Sequence, residues 1–271
     1  MDTSIHFPLA LETRLIWATR MLNPVQRPKP HYRPGITIWH LETGSVEIKS
    51  ASSHDRFQAP IGLILGAGWC AHKFAPESLL TSISIRVLSN TGPVFALPTV
   101  FPIEVKQLPR TTPELVRYYS EWTEPRDSAS YVLFQLRLHQ ALASLCFDLG
   151  NIVARELKQP FVQPIKHAGL RQSILWWRAQ PMAERITEPE LSRQGGMSVS
   201  HFKRVFQKEM GMSLREYLRR TKADACVEAL LHTDKSIKEI GFELGFSEPA
   251  NFVRWFRQQF NITPGGYRES H

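Results

Sequence analysis

The sequence predicts an α+β protein, with an antiparallel β-barrel in the N-terminal half and an all-α C-terminal domain containing two helix-turn-helix motifs. Three observations predict this architecture. Fifteen of the 19 prolines lie before residue 170, a density that short strands and turns tolerate and helices do not. Apolar residues alternate with polar ones in the same region, as in half-buried strands. The last third of the chain contains a repeat with helical spacing.

The predicted strands lie between about residues 10 and 106. The alternation is clearest at 36–39, 45–49 and 82–87, where every second residue is isoleucine or valine. Thr43 and Gly44 separate the first two stretches and predict a hairpin turn. We therefore expect a small antiparallel barrel or sandwich.

Helical spacing begins near Pro113, with predicted helices over 113–122 and 128–157. The second contains a stripe with spacings of 4, 3, 4 and 3, formed by Leu138, Leu142, Leu145, Leu149 and Ile152. The stripe is either a dimer seam or the face that packs on the barrel, and the sequence leaves both open. The following prolines indicate a linker. The predicted units are residues 1–160, a linker over 161–169 and a C-terminal domain over 170–271.

The repeat is the most specific signal in the chain. HFKRVFQKEMGMSLREY, which begins at His201, returns 50 residues later as NFVRWFRQQFNITPGGY. Just upstream, LSRQGGMS matches IGFELGFS. Gly196 and Gly245 are the predicted turn glycines, and Ser198 and Ser247 the predicted N-caps of the helices that follow. Each copy has the layout of a helix-turn-helix.

An advance of 100° per residue separates the two faces of the second helix in each copy. The inward residues are Phe202, Val205 and Phe206 in one copy and Phe252, Trp255 and Phe256 in the other. The outward residues are Ser200, Lys203, Arg204 and Gln207 in one copy and Ala250, Val253, Arg254 and Arg257 in the other. Such side chains suit base edges in a DNA major groove. The alternative is an ordinary solvated face, which the duplication makes less favoured.

Basic residues flank the first copy, and we expect them to contact phosphates. They are Lys208, Arg215, Arg219 and Arg220. The 18-residue segment 214–231 between the copies predicts a helix that spaces the two motifs about one DNA turn apart.

The composition agrees with an anionic partner without identifying one. The formal net charge is +8, divided as +4 in residues 1–169 and +4 in residues 170–271. Three widely separated cysteines exclude a disulfide framework and a CxxC metal site, and indicate a reducing compartment. The N-terminus lacks the pattern of a signal peptide, so we expect a cytoplasmic protein.

Residues 171–267 resemble the AraC/XylS family of bacterial transcription regulators, most specifically in the closing run IGFELGFSEPANFVRWFRQQFNITPGGYR. The chain departs from the family pattern at Gly195, Gly241 and Asn261, and Gly195 is expected to weaken the first supporting helix slightly. The resemblance implies base-facing roles for Ser200, Lys203, Arg204, Pro249, Asn251, Val253 and Arg254, of which Pro249 and Asn251 come from the resemblance alone. It also implies a cupin-like N-terminal barrel that senses a small molecule and helps dimerisation.

Four residues in or beside the predicted strands are expected to line a ligand pocket or, alternatively, to fill the barrel core: Trp39, Trp69, His72 and Phe74. His31, His40 and His54 are scattered, and no catalytic pattern is present, so we expect no metal, no cofactor and no enzymatic activity. The competing interpretation is a metal-dependent cupin enzyme with a DNA-binding tail. The expected partners are double-stranded DNA, a small-molecule effector of unknown identity and a second copy of the chain, with RNA polymerase as a further candidate and no membrane.

Overall fold

The structure is a computed structural model that describes residues 11–50, 53–89, 97, 100–121, 128–158 and 165–269. The described part of the N-terminal half contains nine strands in two antiparallel sheets. The five-stranded sheet has the order β1-β8-β3-β6-β9, and the four-stranded sheet the order β2-β7-β4-β5. The strands are β1 Leu11–Leu22, β2 Arg27–Arg33, β3 Ile36–Thr43, β4 Ser45–Ser50, β5 His54–Gln58, β6 Ile61–Leu65, β7 Gly68–Phe74, β8 Leu79–Ser89 and β9 Phe101–Ile103.

The two sheets pack face to face around one apolar core. The inward residues of the five-stranded sheet, such as Leu41 and Leu63, meet Val46 and Ile48 of the four-stranded sheet. The predicted antiparallel sheets are confirmed as the two layers of a sandwich. The predicted barrel is not, because the described strands form two separate sheets that do not close on each other.

The predicted hairpin at Thr43 and Gly44 is wrong. Strands β3 and β4 belong to different sheets, so the chain crosses from one layer to the other at this turn. Gly44 has φ +82°, and a Cβ there would lie 2.2 Å from Ser78 Oγ. The turn glycine is therefore required by a layer crossing and not by a two-residue hairpin.

Helices α1 (Thr112–Ser120) and α2 (Ser128–Glu156) lie on the outer face of the five-stranded sheet. The leucine stripe of α2 is buried there, with Leu145 and Leu149 fully inaccessible, against sheet residues such as Ile83 and Ile85. This decides between the two interpretations of the stripe, since residues that pack on the sheet cannot also form a dimer seam.

The C-terminal domain is all helical in its described part, apart from the turns. Its helices are α3 Ala168–Arg178, α4 Glu188–Gln194, α5 Val199–Met210, α6 Leu214–His232, α7 Ile237–Glu243, α8 Pro249–Phe260 and α9 Pro264–Glu269. Helix α3 begins within the predicted linker. Helices α4 and α5 form one helix pair and share a core with α3, whereas α7 and α8 form a second pair with its own core. The long helix α6 contributes to both cores and joins the pairs.

The turns of the two pairs follow the prediction in their glycines and differ in their caps. Gly196 and Gly245 have φ +62° and +81°, the left-handed region that favours glycine. The Ser198 hydroxyl caps α5 by accepting from His201 N–H. The N-cap of α8 is Glu248, not the predicted Ser247, because Pro249 occupies the first helical turn. Proline is well suited to that position, since it has no N–H to leave unpaired.

The glycine at 195 has a packing role instead of the weakening role that the sequence predicted. A Cβ at Gly195 would lie 2.5 Å from the Gly169 carbonyl oxygen, and a Cβ at Gly169 would lie 2.3 Å from the Gly195 carbonyl oxygen. The two glycines therefore permit α3 to begin against the end of α4.

The two halves of the molecule share a core and a set of polar contacts. Tyr32 of β2 is 1% exposed and packs among residues of α6, α7 and α8. Its hydroxyl donates to Asp224 Oδ1 at 3.1 Å. Arg86 of β8 pairs with Glu228, and Arg220 donates to the Ala67 carbonyl at 3.2 Å. Helix α6 is thus held on the sandwich along one side.

None of the described helices is both long enough and apolar enough to cross a membrane.

The Asp224 carboxyl gives the domain contact a pH dependence. Burial raises its pKa from 3.8 to about 6, although Arg86, Arg220 and the Tyr32 hydrogen bond act in the opposite direction. Because folding raises this pKa, the protonated Asp224 carboxyl stabilises the folded state fully below about pH 3.8. This contribution to the free energy of unfolding is lost as the pH rises through about 6. We expect Asp224→Asn, which stays neutral, to melt higher than the wild type by a margin that is larger at pH 8 than at pH 5.

Differential scanning calorimetry at the two pH values measures this margin. Asp234→Asn, at an exposed position after α6, controls for the change of net charge. A margin independent of pH for Asp224→Asn would contradict the assignment.

Candidate functional site

The outer face of α5 carries the predicted polar residues in exposed positions. Ser200, Lys203, Arg204 and Gln207 are all exposed, while Phe202 and Phe206 on the opposite face are buried. Lys203 Nζ lies 2.7 Å from a Glu188 carboxylate oxygen. Arg204 forms no ion pair with any residue that the structure describes. The burial difference arises because residues three and four apart share one side of a helix.

Helix α8 repeats this arrangement at the equivalent positions. Ala250, Asn251, Arg254 and Arg257 are exposed, Pro249 and Val253 are partly exposed, and Phe252 and Phe256 are buried. Within the described ranges, neither Arg254 nor Arg257 has a carboxylate partner. Each pair therefore presents an arginine at the same place on its second helix, with its charge available to an external anion.

Two of the four predicted phosphate contacts lie elsewhere. The Arg219 guanidinium lies 4.8 Å from the Trp69 ring centroid and also pairs with Glu216. Arg220 binds Glu216 and the Ala67 carbonyl. Both contribute to the domain contact, whereas Lys208 and Arg215 are exposed. The assignment of all four to phosphates stays a prediction. Spacing along α6 alone could not distinguish the side that faces the sandwich.

A cavity of about 420 Å³ lies where the sandwich meets the C-terminal domain. This volume is in the range of small-molecule sites. Of the predicted ligand residues, Trp39, His72 and Phe74 line it and Trp69 does not. Trp69 instead packs on Tyr32, with ring centroids 5.2 Å apart. The cavity is also lined by residues from outside the sandwich: Val116, Tyr119 and Ser120 of α1, Phe260 of α8 and Tyr267 of α9.

Arg33 is the unusual group of the cavity wall. Its side chain is 4% exposed, and none of its three guanidinium nitrogens has a hydrogen-bond partner among the described residues. Burial lowers the pKa of this guanidinium, an effect that Cys70 partly opposes. The Arg33 Cζ atom lies 5.4 Å from the centroid of the Trp39 ring, in a cation–π contact. A buried guanidinium without acceptors carries a large desolvation cost, which an anion bound in the cavity would offset.

Three further polar side chains form a cluster on the same sheet as Arg33. His31, Cys70 and His72 are buried, and their ligating atoms lie within 4.8 Å of one another. Burial, followed by the charges of His31 and Arg33, lowers the pKa of His72 well below its ordinary value. The sequence does not predict this group, because its histidines are scattered along the chain. Strand pairing across the sheet joins them, and no local spacing in the sequence records it.

Comparison with known proteins identifies the C-terminal region. Residues 191–270 match a helix-turn-helix domain family. The chain is 34% identical over 87 residues to the probable transcription factor PqrA of Proteus vulgaris, covering 32% of this chain and 71% of that protein. It is 33% identical over 97 residues to the uncharacterized HTH-type transcriptional regulator YbfP of Bacillus subtilis, covering 36% of this chain but 33% of that relative. The chain therefore spans only about a third of the length of this relative.

The fold of the whole chain is similar to that of ToxT from Vibrio cholerae. The structure of ToxT with a bound unsaturated fatty acid aligns with a TM-score of 0.64 and 12% sequence identity, covering 96% of this chain and 94% of ToxT. The similarity concerns the fold alone, and it extends over both halves in one alignment.

The duplicated helix pairs, the closing sequence run, the helix-turn-helix match and the identity to PqrA agree with one another, and the chain belongs to the AraC/XylS family of transcription regulators.

Proposed function

We propose that the protein is a sequence-specific DNA-binding transcription regulator that uses both helix pairs as helix-turn-helix motifs. The observation that carries the proposal is the equivalence of Arg204 and Arg254. Both are exposed on the second helix of a pair, above two buried phenylalanines. Arginine at such a position can donate two hydrogen bonds to guanine in the major groove.

The joining helix fits the spacing that double-stranded DNA requires. Helix α6 has 19 residues and is therefore about 28 Å long, close to the roughly 34 Å of one DNA turn. One chain would then read two successive major grooves on the same side of the duplex. Exposed Lys208 and Arg215 lie beside the first motif and are suited to phosphates.

We infer further that a small anionic molecule with an apolar body regulates the DNA-binding activity. The cavity offers buried Arg33 for a negative group and aromatic walls for the rest. ToxT, which shares the fold, has been crystallised with an unsaturated fatty acid and with a naphthalenyl butenoic acid, and both are carboxylic acids. The N-terminal sandwich would act as the cupin-like sensing unit.

The position of the cavity suggests how such an effector would act. Its wall includes Phe260 and Tyr267, which belong to the second helix pair and to α9. A molecule in the cavity would contact both domains and shift the equilibrium between docked and released DNA-binding domains, to the extent that it binds one state more tightly.

Helix α2 supports a homodimer through a face that the sequence did not single out. Opposite its buried stripe, Val132, Leu136 and Phe147 are 55%, 62% and 70% exposed. They share one side of the helix with exposed Ala143. A second copy of the chain could cover this apolar face. RNA polymerase stays a further candidate partner with no assigned surface.

The competing interpretation, a metal-dependent cupin enzyme, has less support. The matched relatives are named as transcription factors or regulators.

Replacing Arg204 tests the DNA interface. We expect Arg204→Ala to weaken operator binding by about 1–3 kcal/mol and to relax specificity at one base position. Selection of bound DNA from a random library, followed by anisotropy titrations at fixed salt, measures both effects. Arg171→Ala, at an exposed position of α3, is the matched control. Equal weakening on random DNA would make Arg204 a phosphate contact.

Replacing Arg33 tests the effector site. Arg33→Met removes an uncompensated buried charge, so we expect the ligand-free variant to melt no lower than the wild type. Its affinity for oleate should fall about 10- to 100-fold, the value of one charge-assisted hydrogen bond or two. Methyl oleate should bind poorly to both proteins.

Thermal shift and calorimetric titration give these numbers. Arg20→Met is the control, because Arg20 also lines the cavity but pairs with Glu42. Unchanged oleate affinity in Arg33→Met would refute the assignment of the anion-binding group, and the DNA-binding proposal would stand independently.

Substitutions on the exposed face and on the buried face of α2 test the proposed dimer. We expect Phe147→Asp and Leu136→Asp to be folded monomers in sedimentation velocity, since these side chains are exposed within one chain. Leu145→Asp should instead unfold the N-terminal domain, because it places a charge in the core. Leu175→Asp, at a residue 47% exposed on α3, should remain dimeric. If the Phe147→Asp, Leu136→Asp double variant remains dimeric, this face of α2 is not the dimer interface.

A further inference from the structure

Three potential metal ligands converge on the inner face of the four-stranded sheet. His31 of β2 is directly opposite Cys70 of β7 in the strand register. Cys70 and His72 are two residues apart on β7 and therefore point to the same face. All three side chains are at least 92% buried, and their ligating atoms lie within 4.8 Å of one another.

The two ring nitrogens of His72 have different surroundings, one hydrogen-bonded and one without a partner among the described residues. Its Nε2 lies 3.2 Å from the Val25 carbonyl oxygen, which can only accept, so Nε2 carries the proton. Nδ1 is then left with its lone pair, and this buried atom has no hydrogen-bond partner among the described residues. Histidines that bind metals commonly donate their other ring N–H to a backbone carbonyl in this way, which fixes the ring and the tautomer.

We propose that His31, Cys70 and His72 form a three-ligand site for a soft transition-metal cation, and that this cation is Cu⁺. One thiolate and two imidazoles form a donor set that selects soft ions such as Cu⁺ and Zn²⁺. Metal–sulfur and metal–nitrogen bonds of roughly 2.3 and 2.0 Å would require the donor atoms to approach by about 1 Å. His31 and His72 line the cavity, which gives the ion a path to the site.

The charge of the surroundings distinguishes Cu⁺ from Zn²⁺. The buried Arg33 guanidinium and the His72 ring contact the same Trp39 ring, at 5.4 and 5.2 Å, so a positive charge already lies close to the site and additional positive charge there is unfavourable. Binding of Cu⁺ replaces the thiol proton, which leaves to solvent, and the resulting copper–thiolate unit is neutral. Zn²⁺ with the same thiolate would leave one positive charge beside the guanidinium.

This proposal does not depend on the effector or on DNA binding. A neutral copper–thiolate unit leaves the Arg33 guanidinium without an acceptor, so an anion could still bind there. The metal site and the anion site would then be neighbours with separate ligands in one cavity.

The test uses the full chain, reduced and metal-free, under anaerobic conditions. We titrate it with acetonitrile-stabilised Cu⁺ in competition with bicinchoninate, and with Zn²⁺ in competition with a zinc-binding dye. We expect one Cu⁺ per chain, bound more tightly than Zn²⁺. X-ray absorption of the copper-loaded protein should show one sulfur and two nitrogen neighbours.

Substitutions identify the ligands. Cys70→Ser should lower Cu⁺ affinity at least about 100-fold, more than the loss of an outer-shell partner, and should abolish the copper-induced rise in melting temperature. Cys146→Ser, at another buried cysteine of the same domain, should bind as the wild type does. His72→Gln is the second variant, since its amide can still donate to the Val25 carbonyl if Cys70→Ser does not fold.

Three results would overturn the proposal. If Cu⁺ does not bind stoichiometrically, the site does not exist. If folded Cys70→Ser or His72→Gln binds Cu⁺ with wild-type affinity, the assignment of these residues as ligands is wrong. If Zn²⁺ binds as tightly as Cu⁺, the charge argument that identifies the ion as Cu⁺ is wrong.

Discussion

The arrangement of the molecule depends on the burial of one tyrosine. The Tyr32 ring is carried by a strand of the N-terminal sandwich, but it packs with Phe260 of the C-terminal domain at a centroid distance of 6.0 Å and with Trp69 at 5.2 Å. Its hydroxyl must find a partner once the ring is buried, and Asp224 of α6 provides it. A single side chain thus contributes both an apolar and a polar contact between the two domains, and it lines the cavity that lies where they meet.

This contact makes the two helix pairs physically unequal although their sequences are repeats. The core of the first pair is formed by α3, α4, α5 and the start of α6. The core of the second includes Ile16 and Tyr32 from the sandwich. The first pair can therefore move with α3 without exposing apolar surface from the sandwich, whereas release of the second exposes part of a shared core. A molecule that acts on the domain contact would influence the second helix pair before the first.

The sequence allowed those features to be predicted that depend on local periodicity. Helices α5 and α8, their buried phenylalanines, the two turn glycines and the boundaries of α2 follow from spacing within about ten residues. The prediction of Ser198 as an N-cap is confirmed, because its hydroxyl accepts from a backbone N–H of the next turn. The prediction of Ser247 is wrong, because helix α8 starts at Pro249 and its N-cap is therefore Glu248. The direction of the α2 stripe, the crossing at Gly44 and the position of Arg219 depend on which distant surface lies opposite, and periodicity contains no information about that.

The candidate sites divide in the same way. The exposed faces of α5 and α8 could be predicted because a helix wheel is a local property. Three of the four residues predicted to line a pocket do line the cavity, because the alternation of a strand turns them inward. Arg33 could not be predicted, since a buried unpaired arginine has no signature in the composition. His31 and Cys70 are 39 residues apart in the chain and meet only through the pairing of β2 with β7.

Asn261 shows how a departure from a family pattern can carry information. The family's usual residue there is glycine, which serves only the left-handed backbone at the end of the helix, and Asn261 adopts the same conformation with φ +58°. Unlike glycine, it also has a side-chain amide, which donates to the Pro30 carbonyl of the sandwich. One position therefore ends helix α8 and joins it to the neighbouring domain. Evolution can adjust the strength of that connection here, by exchanging asparagine and glycine, without altering any residue on the exposed face of α8.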